Sequence, residues 1–229
     1  MFSPPAVDKL VAQGVPPRTA QKFGAGRRRC NVWRSTVTPA RKLHDADVVY
    51  LYDGSFEGFL CCVFESFAQH EIPFAVWTPE RETATLYPFK DIATDHEKAR
   101  RVFASFGRKL GAETEYLVTR DFLSGREDKE LLLIRFLHLA FALGPGTVKR
   151  AGHPDVTPLY EMKKSLDWEV DKFQGFVRFE EHDGMLGAVI HPKNYILPLL
   201  RGAFLRPLPG GELHDLRCSA PSGAAVSGP

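Results

Sequence analysis

Asp53 and Ser55 stand two residues apart in the turn "DGS", and they are the first side chains along the chain suited to chemistry. Arg178 follows in "GFVRF", then His191, Lys193 and Asn194 in "HPKN". An acid, a hydroxyl, an arginine and a histidine gathered at one sheet edge would bind phosphate or do general acid–base work. On that reading Asp53 and His191 are the candidate catalytic groups. Ser55, Arg178, Lys193 and Asn194 are the candidate binding groups. Each also has a plainer role. Asp53 closes an Asx turn, Ser55 caps a helix, Arg178 pairs with an acid and His191 ends a strand. For catalysis the plainer roles carry more weight, because structural networks perturb side chains much as active sites do. For contact with a ligand or polynucleotide the two readings stand level. The gathering has one requirement: an early turn and a late hairpin must share a sheet.

Other chemistry finds less support. The chain has no G-x-S-x-G, H-E-x-x-H or G-x-G-x-x-G run, and "GPG" at 144–146 lacks the rest of a phosphate-binding loop. The four cysteines, Cys30, Cys61, Cys62 and Cys218, form no C-x-x-C pair and have no histidine at zinc-finger spacing. They read as small buried hydrophobes, and no metal, iron–sulfur cluster or other cofactor is expected. His138, on an otherwise apolar segment, reads as a hydrogen-bonded core histidine.

The elements that must position the candidates follow from periodicity. "VVYLY" at 48–52 is β-branched and aromatic, which predicts a strand. Ser55 then caps a helix whose buried face carries Phe56, Leu60, Val63, Phe64 and Phe67. Residues 71–93 hold three prolines and no helical period, and read as a loop with short extended pieces and an edge strand. Thr94 and Glu97 have capping-box spacing, and Ala99, Val102, Phe103, Phe106 and Leu110 make the next buried stripe. A third helix is expected over 112–123, and an apolar fourth within 127–144. Thr157-Pro158 opens a fifth, facing inward through Leu159, Met162, Leu166 and Val170.

Further on, Asp183-Gly184 between two apolar-rich segments predicts a hairpin, with alternation placing Val177 and Phe179 on one face and Phe176 and Arg178 on the other. Arg178 among phenylalanines could stack bases, but on a strand at most one aromatic would accompany it outward. Asn194 caps a last helix. The expected fold class is α+β, with five or six helices packed around a small sheet formed by the early strand and the late hairpin.

Charge divides the chain. Residues 1–46 carry nine Lys/Arg against two acids, which leaves 21 bases and 26 acids in the remainder. That amino-terminal stretch reads as a basic, Pro/Gly-rich, disordered extension, residues 47–217 as one domain, and 218–229 as a frayed tail. No apolar run approaches the ~20 residues of a membrane span, and the start lacks the layout of a signal peptide. A cytoplasmic protein without membrane attachment is expected.

Four stretches in this order carry a family likeness: "YLYDGSFEGFL" (50–60), "TDHEKARRVF" (94–103), "GFVRF" (175–179) and "DGMLGAVIHPKNYILPLL" (183–200). From about residue 48 to about 217 the chain resembles a bacterial family catalogued as domain of unknown function 4130, labelled as DNA metabolism or repair proteins. The resemblance implies an accessory role in DNA metabolism or repair, with DNA and a radical-SAM enzyme as partners, and it brings no catalytic residues. The sequence departs from the family in residues 1–46, in "VDKFQ" where relatives often carry a histidine, and after Arg217, where a further strand-like segment is expected.

Three readings follow. The protein is an accessory that contacts nucleic acid or a radical-SAM partner, an enzyme acting on a nucleotide or DNA base through Asp53, Arg178 and His191, or a structural domain with no site.

Overall fold

The run "DVVYL" lies in the central strand of a small sheet. In the computed structural model, which describes residues 43–81, 84–182 and 185–204, strand β1 spans His44–Leu51. Both faces of β1 are covered: Val49 and Tyr50 are fully buried. The basic stretch through Lys42, Cys30, Cys218, the Asp183-Gly184 turn and the 218–229 tail lie outside the described residues. The strand itself begins at His44, inside the stretch read as an extension.

After β1 come helix α1 (Phe56–Gln69), β2 (Glu71–Trp77) and β3 (Phe89–Asp91). All three strands are parallel, in the order β2-β1-β3. Val49 lies opposite Ala75 and Phe89, and Tyr50 opposite Val76 and Lys90. The β1–α1–β2 unit is the helical crossover that parallel pairing demands. The chain then passes to the far side of β1, so the strand order reverses beside the carboxyl ends of β1 and β3. Open parallel sheets bind their ligands at such a point.

This corrects the expected sheet. Residues 71–93 supply both neighbours of β1, and the late hairpin, β4 (Glu180–His182) with β5 (Met185–Gly187), is an antiparallel pair of its own. Pro73 is tolerated because β2 is an edge strand, where one missing donor costs little. The α+β class holds, with six α-helices among the described residues.

The other helices are α2 (His96–Lys109), α3 (Ala112–Asp121), α4 (Lys129–Leu143), α5 (Thr157–Phe176) and α6 (Leu197–Phe204). The main core joins the Tyr50 face of the sheet to α1, α2 and α4, which buries Leu133, Ile134, Phe136, Leu137 and Ala140. A smaller core gathers Leu123, Leu166, Val170, Ile190, Ile196 and Leu200 under α5 and α6. Helix α5 runs through Gly175 to Phe176, so "GFVRF" starts as the end of a helix and not as a strand. Its inward stripe reaches Phe173, and that packing outweighs the helix-weakening glycine.

His138 is a core histidine, as its surroundings in the sequence suggested. Ser66 donates its hydroxyl to the Glu71 carbonyl at 2.5 Å, and His138 Nε2 lies 2.7 Å from Ser66 Oγ. The ring stacks on Phe67, and burial pushes its pKa down to about 4. Among the described residues no helix is long and apolar enough to cross a membrane.

Candidate functional site

The chain leaves β1 through Tyr52 and turns at Gly54, whose φ of +78° favours glycine. Asp53 Oδ1 accepts from the Ser55 amide (2.9 Å) and hydroxyl (2.7 Å), while Oδ2 accepts from the Thr94 hydroxyl (2.8 Å). Ser55 Oγ in turn accepts from the Gly58 amide at 2.9 Å, the expected helix cap. A Cβ on Gly58 would stand 2.2 Å from Asp53 Oδ1 and 2.9 Å from Thr94 Oγ1, so only glycine leaves room for this clasp.

Thr94 is therefore committed to Asp53, and Asp95 caps α2 in its place, accepting from the Glu97 and Lys98 amides at 3.0 Å. The cap expected at Thr94 is one residue off. Glu57 meets His96, and the Cys61 thiol is hydrogen-bonded to the Asp95 backbone at 3.3 and 3.4 Å. The amino-terminal ends of α1 and α2 are thus locked together. Burial pushes the Asp53 carboxyl up, but the hydrogen bonds from Ser55 and Thr94 outweigh it and hold the group below the usual carboxylate range.

A second cluster flanks the same strand end. Tyr52 donates to Glu130 Oε1 at 2.8 Å, and Lys129 Nζ lies 3.8 Å from that oxygen and 4.8 Å from the centre of the Phe122 ring. Burial raises the Tyr52 hydroxyl and the Glu130 carboxyl and lowers the Lys129 ammonium. Arg81, beyond β2, donates to the Glu127 carbonyl (3.1 Å) and carboxylate (2.6 Å) and covers Trp77. These bonds tie the start of α4 to the carboxyl edge of the sheet. Reading the sequence singled out His138 on α4 and missed Lys129 and Glu130. Their only signal was a charged pair opening an otherwise apolar helix.

The "HPKN" segment builds a third arrangement. Glu169 accepts from the Lys193 amide (2.6 Å), the Asn194 amide (2.9 Å) and Asn194 Nδ2 (2.6 Å). Asn194 Oδ1 accepts from the Gly125 amide at 2.8 Å. A Cβ on Gly125 would stand 2.0 Å from the Lys193 carbonyl oxygen, so this joint also needs a glycine. Asn194 thus bridges two loops and α5 and does not cap α6. Glu169, 6% exposed, escaped the sequence reading because a lone glutamate on a helix ordinarily faces water.

The six predicted residues therefore fall into separate places. Asp53 joins Ser55 at the parallel sheet; Lys193, through its backbone, and Asn194 join Glu169. No hydrogen bond or ion pair links the two groups. Arg178 and His191 are exposed and hold neither kind of bond with any described residue. The shared edge required for an acid–base constellation does not form, because β1 and the hairpin belong to different sheets. Among the described residues no three His, Cys, Asp or Glu side chains gather to hold a metal ion.

The Asp53 clasp instead positions a charged surface. Helix α2 carries Lys98, Arg100, Arg101, Arg108 and Lys109 against the single acid Glu97. Arg100 and Arg101 are exposed and make no hydrogen bond or ion pair with any described residue. Among the described residues Arg108 bonds only to the Ala104 carbonyl of its own helix. Ala104 and Gly107 between them are exposed, and the Glu115 carboxylate from α3 lies over Gly107, where a Cβ would stand 2.6 Å from its Oε2.

No curated protein and no solved structure matches the chain. Residues 127–211, which carry α4, α5, the hairpin, α6 and the Glu169–Asn194 joint, match the model of a family described as Domain of unknown function, DUF4130.

Proposed function

We propose that this protein contacts nucleic acid, as an accessory in DNA metabolism or repair. The observation that carries the reading is the α2 face, where the guanidinium groups of Arg100 and Arg101 stand in solvent with no carboxylate paired to them among the described residues. Such a row suits a phosphate backbone, and every phosphate it neutralises releases counterions. The clasp of Asp53 on Thr94 fixes the angle at which the row is presented. The family likeness adds DNA metabolism as the setting and a radical-SAM enzyme as a companion. No observation favours the enzymatic alternative built on Asp53, Arg178 and His191.

Binding of a labelled DNA oligonucleotide across a salt series tests the reading. The wild-type protein is expected to bind with a steep salt dependence. Arg100→Glu with Arg101→Glu is expected to weaken it at least tenfold and to lower the salt slope by about one for each phosphate left without its guanidinium. Weak binding that ignores salt and both substitutions would dismiss it. Co-purification with a radical-SAM enzyme tests the companion.

A further inference from the structure

Helix α5 presents a second surface, of a different kind. Tyr160, Lys164, Trp168, Lys172 and Phe176 recur every four residues along it, and all five are exposed. Trp168 is 66% exposed and Phe176 80%. The aliphatic residues of the helix take the opposite course: Leu159, Met162, Leu166 and Val170 are all buried. What α5 leaves in water is therefore three aromatic rings with Lys164 and Lys172 between them, beside the carboxylates of Glu161 and Asp171. A helix partner would call for an aliphatic seam. Rings alternating with cations are instead the composition that holds unpaired bases, the rings by stacking and the cations by phosphate pairing.

The Lys172 ammonium lies 5.3 Å from the centre of the Trp168 ring, a cation–π contact that covers one face of the ring and that a stacked base would have to displace. Of the acids on this helix, Glu161 lies 3.6 Å from Arg126, which also pairs with Asp128, Asp167 is paired with Arg120 and Lys163, and exposed Asp171 stands three residues from Trp168 beside Lys172. Arg178, just beyond the helix, adds an exposed guanidinium next to Phe176. Because "GFVRF" opens as a helix end and not a strand, Phe176 and Arg178 both face water. Successive aromatic positions on the row are about 12 Å apart along the helix axis.

From these observations we infer that the exposed surface of α5, which winds about 160° around the helix axis from Tyr160 to Phe176, is a platform for single-stranded nucleic acid, stacking bases on Tyr160, Trp168 and Phe176 and pairing phosphates with Lys164 and Lys172. The inference rests on the nucleic-acid reading above and narrows its substrate to unpaired strands. α2 would supply affinity common to duplex and single strand, and α5 the preference between them.

The test titrates the full chain with a labelled single-stranded oligothymidine and with a duplex of equal length. The wild type is compared with Trp168→Ala/Phe176→Ala and with Arg100→Glu/Arg101→Glu. The aromatic variant is expected to lose roughly ten- to a hundredfold in single-strand affinity, to keep its duplex affinity, and to lose the quenching of tryptophan emission by the single strand. The charge variant is expected to lose both affinities together. If the aromatic variant binds single strands as the wild type does while the charge variant does not, the platform is refuted and the nucleic-acid reading survives. Equal losses on both substrates in the aromatic variant would also refute it. A wild-type protein that binds neither substrate would remove both. A molecular mass that rises with concentration, and falls back in Trp168→Ala, would show a self-association face in place of the platform.

Discussion

Two carboxyl groups are buried at the edges of helix α5, and their surroundings differ sharply. Glu169 receives three N–H donors, two from the backbone of the 193–194 loop and one from the Asn194 side chain. Asp121, at the end of α3, is fully buried, and neither of its oxygens has a hydrogen-bond partner among the described residues. Arg120 and Lys163 stand near it, but both are engaged by Asp167. An ionised carboxylate survives burial only where donors replace lost water. Glu169 has that replacement. Asp121 does not, and burial pushes its carboxyl up to about 8 against the pull of Arg120 and Lys163. One buried acid is a joint and the other a neutral side chain.

Removing the joint should have the largest effect. Glu169→Ala strands three donors in a site closed in by Gly125 and the buried Pro192, and is expected to cost about 3–5 kcal/mol. Urea denaturation measures it. A loss below about 1 kcal/mol would mean that water replaces the carboxylate there, and the contrast with Asp121 would disappear.

Asp121 makes the opposite forecast. Its pKa is raised in the folded state, so between about pH 4 and 8 the native protein holds a proton that the unfolded chain has released. Stability must then fall as pH rises through that window and level off above it. The fall attributable to this one group is at most about 5 kcal/mol. Asp121→Asn is expected to remove it, leaving denaturation midpoints nearly flat over the same range. A mutant with the wild-type pH profile would show that Asp121 is ionised and solvated in the native protein.

The contrast also explains what could be read before the fold was known. Helices α1, α2 and α5 announced themselves because their apolar residues recur on one face, and Ser55 because a hydroxyl after a glycine turn has one obvious use. The partners of β1 did not, since β2 and β3 are short, pairing is non-local, and Pro73 argued against a strand. Thr94 and Asp95 are both good caps. Which of them serves depends on Asp53, forty-one residues earlier than Thr94 in the chain. Glu169 was hidden for the same reason: its donors are backbone amides of a distant loop, and backbone amides carry no signature in a sequence. Local chemistry was readable, and joints made across the chain were not.

A smaller effect is expected at Gly58. Gly58→Ala drives a methyl into the Asp53–Thr94 clasp, where the nearest oxygen would be 2.2 Å away. It is expected to cost about 1–3 kcal/mol, a typical overpacking loss. It should also weaken DNA binding by tilting α2. Full stability in this variant would show that the clasp has room to open.

Asp53 completes the series as an exposed carboxylate with donors. Its pKa is lowered in the folded protein, so its contribution has the reverse sign to that of Asp121. It is present above the unfolded value, near pH 4, and is lost as the solution is acidified through the folded value. Water competes at this surface, so the effect is small. Thr94→Val removes one donor and is expected to cost about 0.5–1.5 kcal/mol at neutral pH. In the mutant the Asp53 carboxyl should titrate closer to an ordinary aspartate, which carbon-detected NMR can follow. If Thr94→Val leaves that titration unmoved, the Ser55 turn alone holds the carboxylate. Asp53 would then owe nothing to α2, and the basic helix would have to be oriented by its packing on α1.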